Sequence, residues 1–248
     1  MTITLHMLMF FGKTVNIMES CKNFNKIVSE KLRELDINEF GFTKTELINA
    51  KRAEKLPYAV SIVVPLSDYI VDEIDKEPTF AYFQHYRAVN AYIDAVLLRL
   101  GLMIASYGYS YMPVAASQSI PTNALPYSAL VSHKAAARNA GLGTIGKSAL
   151  FLSRRYGTRV RLGTLLTDMP LECENGKELE DVCASCDLCA RSCPAMAISG
   201  RAYKEGMERD EFFDAAACSE YMKKKFQHIG RGAVCGICMK VCPYTYKV

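Results

Sequence analysis

The sequence predicts an α+β protein built in two parts, and three observations carry that reading. Helical and extended hydrophobic patterns alternate from residue 19 to about residue 167. After Met169-Pro170 the composition turns polar and then rich in cysteine. Eight of the ten cysteines fall in that last third, at regular spacings. Residues 1–17 are expected to be a disordered extension, because Met18 would also serve as a start and leads straight into a helix. Residues 18–170 form an α/β domain with a mixed sheet, and residues 171–248 a small ferredoxin-like domain.

The elements follow in order. Phe24, Ile27, Val28, Leu32 and Leu35 recur at helical spacing and predict a helix over Glu19–Leu35. Ile37–Phe42 is a short strand and Lys44–Glu54 a second helix. Tyr58–Pro65 is a β-rich run, hence a buried strand. Thr79–Ser106 is a long helix with Tyr82, Tyr86, Val89, Tyr92, Ile93, Val96 and Leu100 on one side, a stripe that suits core. Tyr109–Val114 is a strand and Gln118–Pro126 a loop with Pro and Asn signals. Ser132–Ala140 is an Ala-rich helix; Ala149–Leu152 and Arg159–Leu166 are strands. Ala195–Ile198 and Cys218–Phe226 are short helical segments beside the cysteines.

The cysteine runs carry the chemistry. Cys183, Cys186, Cys189 and Cys193, followed by Pro194, match the C-x₂-C-x₂-C-x₃-C-P run of bacterial ferredoxins. Cys235, Cys238 and Cys242, followed by Pro243, repeat it without its first cysteine, which Cys218 can supply. The fourth cysteine of each run ligates the other cluster in two-cluster ferredoxins. That rule puts Cys183, Cys186, Cys189 and Cys242 on one [4Fe–4S] cluster, and Cys193, Cys218, Cys235 and Cys238 on the other. Zinc is the bland alternative, but it needs two pairs rather than a triplet followed by Cys-Pro. No secretory signal points to an oxidising compartment, which argues against disulfides. Cys21 and Cys173 stand alone and read as small buried hydrophobes.

Half of the residues are hydrophobic, enough for a real core, and no uninterrupted apolar run reaches the roughly 20 residues of a membrane helix. A cytoplasmic protein is expected. The formal charge of +4 counts every cysteine as neutral; two oxidised cubes of about −2 each bring the holoprotein near neutrality. Charge therefore does not argue for nucleic acid. Its distribution is uneven: Ala95–Thr167 holds eight of the 30 basic residues and none of the 26 acidic ones. This is either a solvated basic face or a site for an anionic ligand.

Gly141-Leu142-Gly143-Thr-Ile-Gly146-Lys147-Ser148 fits both G-x-G-x-x-G and the P-loop pattern. Both need a strand before the glycines and a helix after. Here a helix ends at Gly141, as a C-cap glycine would have it, and a strand follows. The order reads against a nucleotide loop, while the glycines allow close approach and Lys147 offers a cation.

The block Ala140–Lys147, then Arg161-Leu-Gly-Thr-Leu-Leu-Thr-Asp-Met-Pro-Leu171, then the cysteine runs, resembles the epoxyqueuosine reductases from about Met18 to Val248. The resemblance implies a nitroreductase-like, cobalamin-binding domain followed by a two-cluster ferredoxin module that delivers single electrons to the cobalt. It implies cofactor contacts at Gly141, Leu142, Gly143, Gly146 and Lys147, and an external donor of ferredoxin or flavodoxin type. The family's catalytic aspartate falls at or near Tyr127, and no carboxylate lies anywhere in Ala95–Thr167, so Tyr127 becomes the candidate proton donor. A helical-repeat region that helps hold tRNA in full-length members does not follow Cys242-Pro-Tyr, which puts tRNA binding in doubt. The function expected is an iron–sulfur reductase acting through cobalamin on a small molecule or modified nucleoside. The alternatives are a non-catalytic ferredoxin-type carrier docking to a partner enzyme, or a flavin-dependent reductase. An apolar-filled cleft favours the carrier, and a cavity facing one cluster favours the enzyme.

Overall fold

A computed structural model describes residues 21–48, 54–117, 127, 129–173, 176 and 182–245. The expected N-terminal extension and the Gln118–Pro126 loop lie outside the described residues. Residues 21–34 are helical (α1). The strands β1 (Glu39–Lys44), β2 (Tyr58–Pro65), β3 (Tyr111–Val114) and β6 (Val160–Thr167) form one sheet in the order β1-β2-β6-β3, and β4 (Gly143–Ile145) pairs with β5 (Phe151–Ser153) in a second. Every pairing in the first is antiparallel, which corrects the expectation of a mixed sheet. The chain returns through β6 down the middle of the sheet, so β6 runs against both β2 and β3.

The two central strands are buried on both faces, which is why they read as continuous apolar runs. Their side chains alternate between two helices. Val60, Ile62 and Leu165 face α3 (Phe80–Ser106), where they join Ile93, Leu97 and Leu100, all unexposed. Ala59, Val63, Leu162 and Leu166 pack with Ala136, Ala137 and Ala140 around α4 (His133–Asn139). Thr79 caps α3 by accepting from the Tyr82 N–H. By length and composition α3 could cross a membrane, but its buried stripe packs on the sheet. Tyr92 departs from the expected stripe. Its ring is 38% exposed and its hydroxyl donates to the Leu35 carbonyl.

The cysteine-bearing part packs onto this core rather than standing apart. Val234, Ile237 and Met239 share a hydrophobic cluster with Ile74 and Tyr82. Asp72, at the end of α2 (Asp68–Asp72), accepts from Arg159 at 2.8 Å and from Lys240 of α7 (Ile237–Lys240) at 3.0 Å. Those two cations hold its carboxyl at about 2, well below the usual carboxylate value.

Two predicted helices are corrected. Thr45–Ile48 is a 3-10 turn following β1, not part of a helix from Lys44, and residues 49–53 are outside the described residues. Ala195–Ile198 is a turn: Met196 has φ +51 and Ile198 bridges to Phe213. The bridge from Ile198 to Phe213 and the proline at 194 set the backbone there, a tertiary outcome that overrides the helical propensity of that Ala-Met-Ala stretch. Cys218 lies on a helix (α6, Ala215–Lys225) capped by Asp214, and Leu188–Arg191 is a one-turn helix (α5).

Candidate functional site

The eight clustered thiols gather in two fours. Cys189 lies among Cys183, Cys186 and Cys242, and Cys218 lies with Cys193 and Cys235. Cys238 joins the second four and is also the one that feels Cys189, so the groups approach each other through α5 and α7. Among the described residues no three His, Cys, Asp or Glu side chains are grouped as donors to a single ion. A cube takes four thiolates, one on each iron, which is the number of cysteines in each group. Burial, then neighbouring thiols, push Cys218 to about 11 and Cys238 higher still. Such thiols ionise only when positive charge arrives with the metal. Cys21 and Cys173 belong to neither four; Cys173 packs against the main core, and burial pushes it to about 11.

The second four lines a cavity of about 480 Å³, which Tyr82, Tyr86, Lys134 and Arg161 also border. A larger cavity of about 700 Å³ lies beside it. Tyr127, His133, Lys134, Arg161 and Arg209 bring polar groups to its wall, among apolar ones such as Val131, Phe151 and Leu162. Lys134, Ala149, Leu150 and Arg161 border both cavities.

Local structure accounts for this placement. Ser132 caps α4 by accepting from the Ala135 N–H, which puts His133 and Lys134 in the first turn, facing the sheet. His133 Nε2 is 3.0 Å from the Ala115 carbonyl and Nδ1 is 2.8 Å from Thr164 Oγ1. A carbonyl only accepts, so Nε2 carries the proton and Nδ1 accepts from the hydroxyl. Burial lowers the His133 pKa, and both ring nitrogens are already engaged. Lys134 donates to the Ala149 carbonyl at 2.8 Å. Burial, then Arg209 and Arg161, lower its pKa to about 8. Arg161 donates to Asn90 Oδ1 at 2.9 Å and lies 4.3 Å over the Tyr86 ring. Burial pushes the Tyr86 hydroxyl up, but Arg161 with Ser117 and Asn90 outweighs it and leaves the pKa lowered.

Tyr127 stands on the wall of the larger cavity with φ +69. The glycine-rich stretch lies elsewhere. Gly141 ends α4 with φ +75, and Leu142 is buried beside Phe151 and Tyr156. Gly143 lies against the Leu152 carbonyl, and Gly146 lies against Leu152 and Cys183. The Lys147 ammonium reaches two backbone carbonyls of the first cysteine run. None of these five borders either cavity. Of the cavity's cations, Lys134, Arg161 and Arg209, only Arg209 has no place in the sequence reading. The first two belong to the carboxylate-free basic stretch, whose other members are partly spent on protein partners: Arg159 on Asp68 and Asp72, Arg138 on Glu205.

The larger cavity falls within the volume range of small-molecule sites and would enclose part of a group as large as a corrinoid; apolar side chains share its wall with the cations Lys134, Arg161 and Arg209 and the acids Glu208 and Asp210.

Residues 182–245 match the 4Fe-4S double cluster binding domain. The epoxyqueuosine reductase of Pseudomonas aeruginosa is 27% identical over 215 residues, which cover 79% of this chain and 54% of that one. That of Lactococcus garvieae is 35% identical over 128 residues, 47% of this chain and 32% of its own. The chain thus spans about half the length, or less, of these relatives. A reductive dehalogenase whose structure is described as suggesting a mechanism for B12-dependent dehalogenation superimposes with TM-score 0.67 at 22% identity, over 87% of this chain and 31% of that chain. An epoxyqueuosine reductase bound to an epoxyqueuosine-modified tRNA stem loop superimposes with TM-score 0.61 at 17% identity, over 90% of this chain and 66% of that one. The fold is shared with both. The chain is thus similar in sequence to epoxyqueuosine reductases over 79% of its length, and its C-terminal part matches a double-cluster iron–sulfur domain.

Proposed function

We propose that this chain is a cytoplasmic one-electron reductase. Its cubes are held by Cys183, Cys186, Cys189 and Cys242, and by Cys193, Cys218, Cys235 and Cys238. The larger cavity, bordered by Tyr127, Lys134 and Arg161, would hold a cobalamin within reach of the second cube. The observation that carries this reading is the common wall: Lys134, Ala149, Leu150 and Arg161 border both the second four thiols and the 700 Å³ cavity. A cavity beside one cluster is what an enzyme needs and a simple carrier does not. The neighbour described in terms of B12-dependent dehalogenation suggests the cofactor.

A bound corrinoid would supply a cobalt centre that exchanges single electrons with the nearer cube. The chain's own residues do the rest. Lys134 and Arg161 place positive charge between the cube and the cavity, where negative charge accumulates on reduction. Val131, Phe151 and Leu162 exclude water. The Tyr127 hydroxyl holds a proton at the cavity wall for a carbanion formed there. The substrate class is a small molecule or modified nucleoside. The tRNA-bound neighbour shares the fold over 90% of this chain, so the doubt about tRNA finds no support in the comparison. An external donor of ferredoxin or flavodoxin type would reload the cubes.

Stopped-flow mixing tests the reading. The reduced chain, mixed anaerobically with cobalamin, should lose its cluster electrons within milliseconds to seconds at one electron per cobalt. Cys238→Ala should abolish the fast phase. Persistence of reduced clusters beside excess cobalamin would contradict it.

A further inference from the structure

Lys147 Nζ donates to the carbonyl oxygens of Ala184 at 2.7 Å and Cys186 at 3.1 Å. The residue is only 8% exposed, so this ammonium is committed to the first cysteine run rather than to solvent. Gly146 lies against the same run: a Cβ there would stand 3.4 Å from Cys183 Sγ and 2.5 Å from the Leu152 side chain. On the far side, the Thr158 N–H donates to the Tyr244 carbonyl at 3.1 Å, next to Cys242, and the Thr158 hydroxyl acts on the Cys242 thiol. Both chain segments that supply the Cys183, Cys186 and Cys242 thiols are thus held by groups of the larger domain.

We propose that the Gly141–Ser148 segment is the cradle of this cube. Lys147 is its positioning residue, fixing the Cys183–Cys186 loop and raising the reduction potential of that cube alone. The physical reason is charge. Reduction adds an electron to a cube that four thiolates already make negative, and a fixed cation nearby favours the more negative state. Burial protects the interaction from screening by salt. The pattern G-x-x-x-x-G-K-S therefore has a use without a nucleotide. The ammonium that meets phosphates in a P-loop meets two carbonyls beside a cube, and Gly146 leaves room for the Cys183 sulfur. The proposal rests on the cluster assignment and is independent of the corrinoid.

The test is a redox titration of the full-length reconstituted chain followed by paramagnetic resonance, with the signal of this cube assigned by Cys183→Ser. Iron analysis of the wild type is the control: if both cubes are not present, the cluster assignment itself fails. In Lys147→Gln, which keeps a donor without the charge, the reduction equilibrium of this cube should move at least tenfold against reduction, about 59 mV for one electron. The other cube should stay unmoved, and Lys147→Arg should restore the wild-type value. In Lys147→Met, loss of this cube's iron with the other cube intact also supports the cradle. If Lys147→Met does not fold, the Gln and Arg variants decide. Unchanged potentials in Lys147→Gln with full iron, or equal shifts of both cubes, would overturn the proposal.

Discussion

Arg209 Nη1 donates to the carbonyl oxygen of Tyr127 at 3.1 Å, tying the segment between the two cysteine runs to the wall of the larger cavity. The ammonium of Lys223, on α6, stands 5.9 Å from the centre of the same tyrosine ring. Tyr127 also has a left-handed backbone, which a bulky residue adopts only when its surroundings impose it. Two cations of the cysteine-bearing part therefore hold one strained residue of the other part at the site.

Tyr127→Phe keeps the ring and removes only the transferable proton. It should leave cobalamin affinity within about twofold. It should slow turnover of any substrate found by about 100-fold or more, the usual scale of general acid catalysis. Binding titrations and single-turnover rates on the same preparation check it. Full activity in the variant would return Tyr127 to packing.

Lys134 sets a pH dependence. Its folded pKa of about 8 lies below the ordinary lysine value, so it is charged below pH 8 and neutral above. Attraction for an anionic group in the cavity should be present below pH 8 and fade as pH rises through that value. Inorganic phosphate binding, followed by calorimetry between pH 6.5 and 9.5, should show this falling limb. Lys134→Met should bind more weakly at pH 6.5 and lack the limb.

The exchange of ligands between runs gives a spectroscopic prediction. Cys193 lies in the four with Cys218, Cys235 and Cys238, although its sequence neighbours are Cys189 and Pro194. Cys193→Ala should damage that cube and leave the one on Cys183, Cys186, Cys189 and Cys242 intact. Paramagnetic resonance of the reduced variant distinguishes the two signals. Two undamaged cubes would remove Cys193 from the ligand set.

Adjacent leucines on α3 should respond in opposite ways. Leu97 is unexposed against the sheet, and Leu98 is 49% exposed. Leu97→Ala leaves a cavity and should cost about 2–5 kcal/mol. Leu98→Ala should stay within about 0.5 kcal/mol. Denaturant unfolding of the two variants under anaerobic conditions reads the difference.

Strand β2 was legible to the residue because both its faces are buried, which leaves a run of β-branched residues between Tyr58 and Pro65. The helix from His133 was legible because Ser132 caps it and Gly141 ends it. The Lys44–Glu54 helix failed where the chain leaves β1 through a 3-10 turn, a tertiary outcome that local propensity does not carry. The cysteine spacings led directly to two fours because cluster chemistry constrains them locally. The surroundings of Lys147 were not legible, since its partners are 37 and 39 residues away and are backbone carbonyls, which leave no mark on side-chain pattern. Lys134 and Arg161 meet only through packing of α4 on β6, and the carboxylate-free stretch marked their region but not their partners.

The central claim is that the cavity bordered by Tyr127, Lys134 and Arg161 takes a corrinoid beside the second cube. An anaerobic titration of the two-cluster holoprotein with cobalamin, followed by absorption, tests it most directly. The account predicts saturation at one equivalent per chain, with a spectral change that is lost when Leu150→Trp fills the common wall while both cubes remain. No saturable binding by the intact holoprotein, or equal binding by the Leu150→Trp chain, would contradict it.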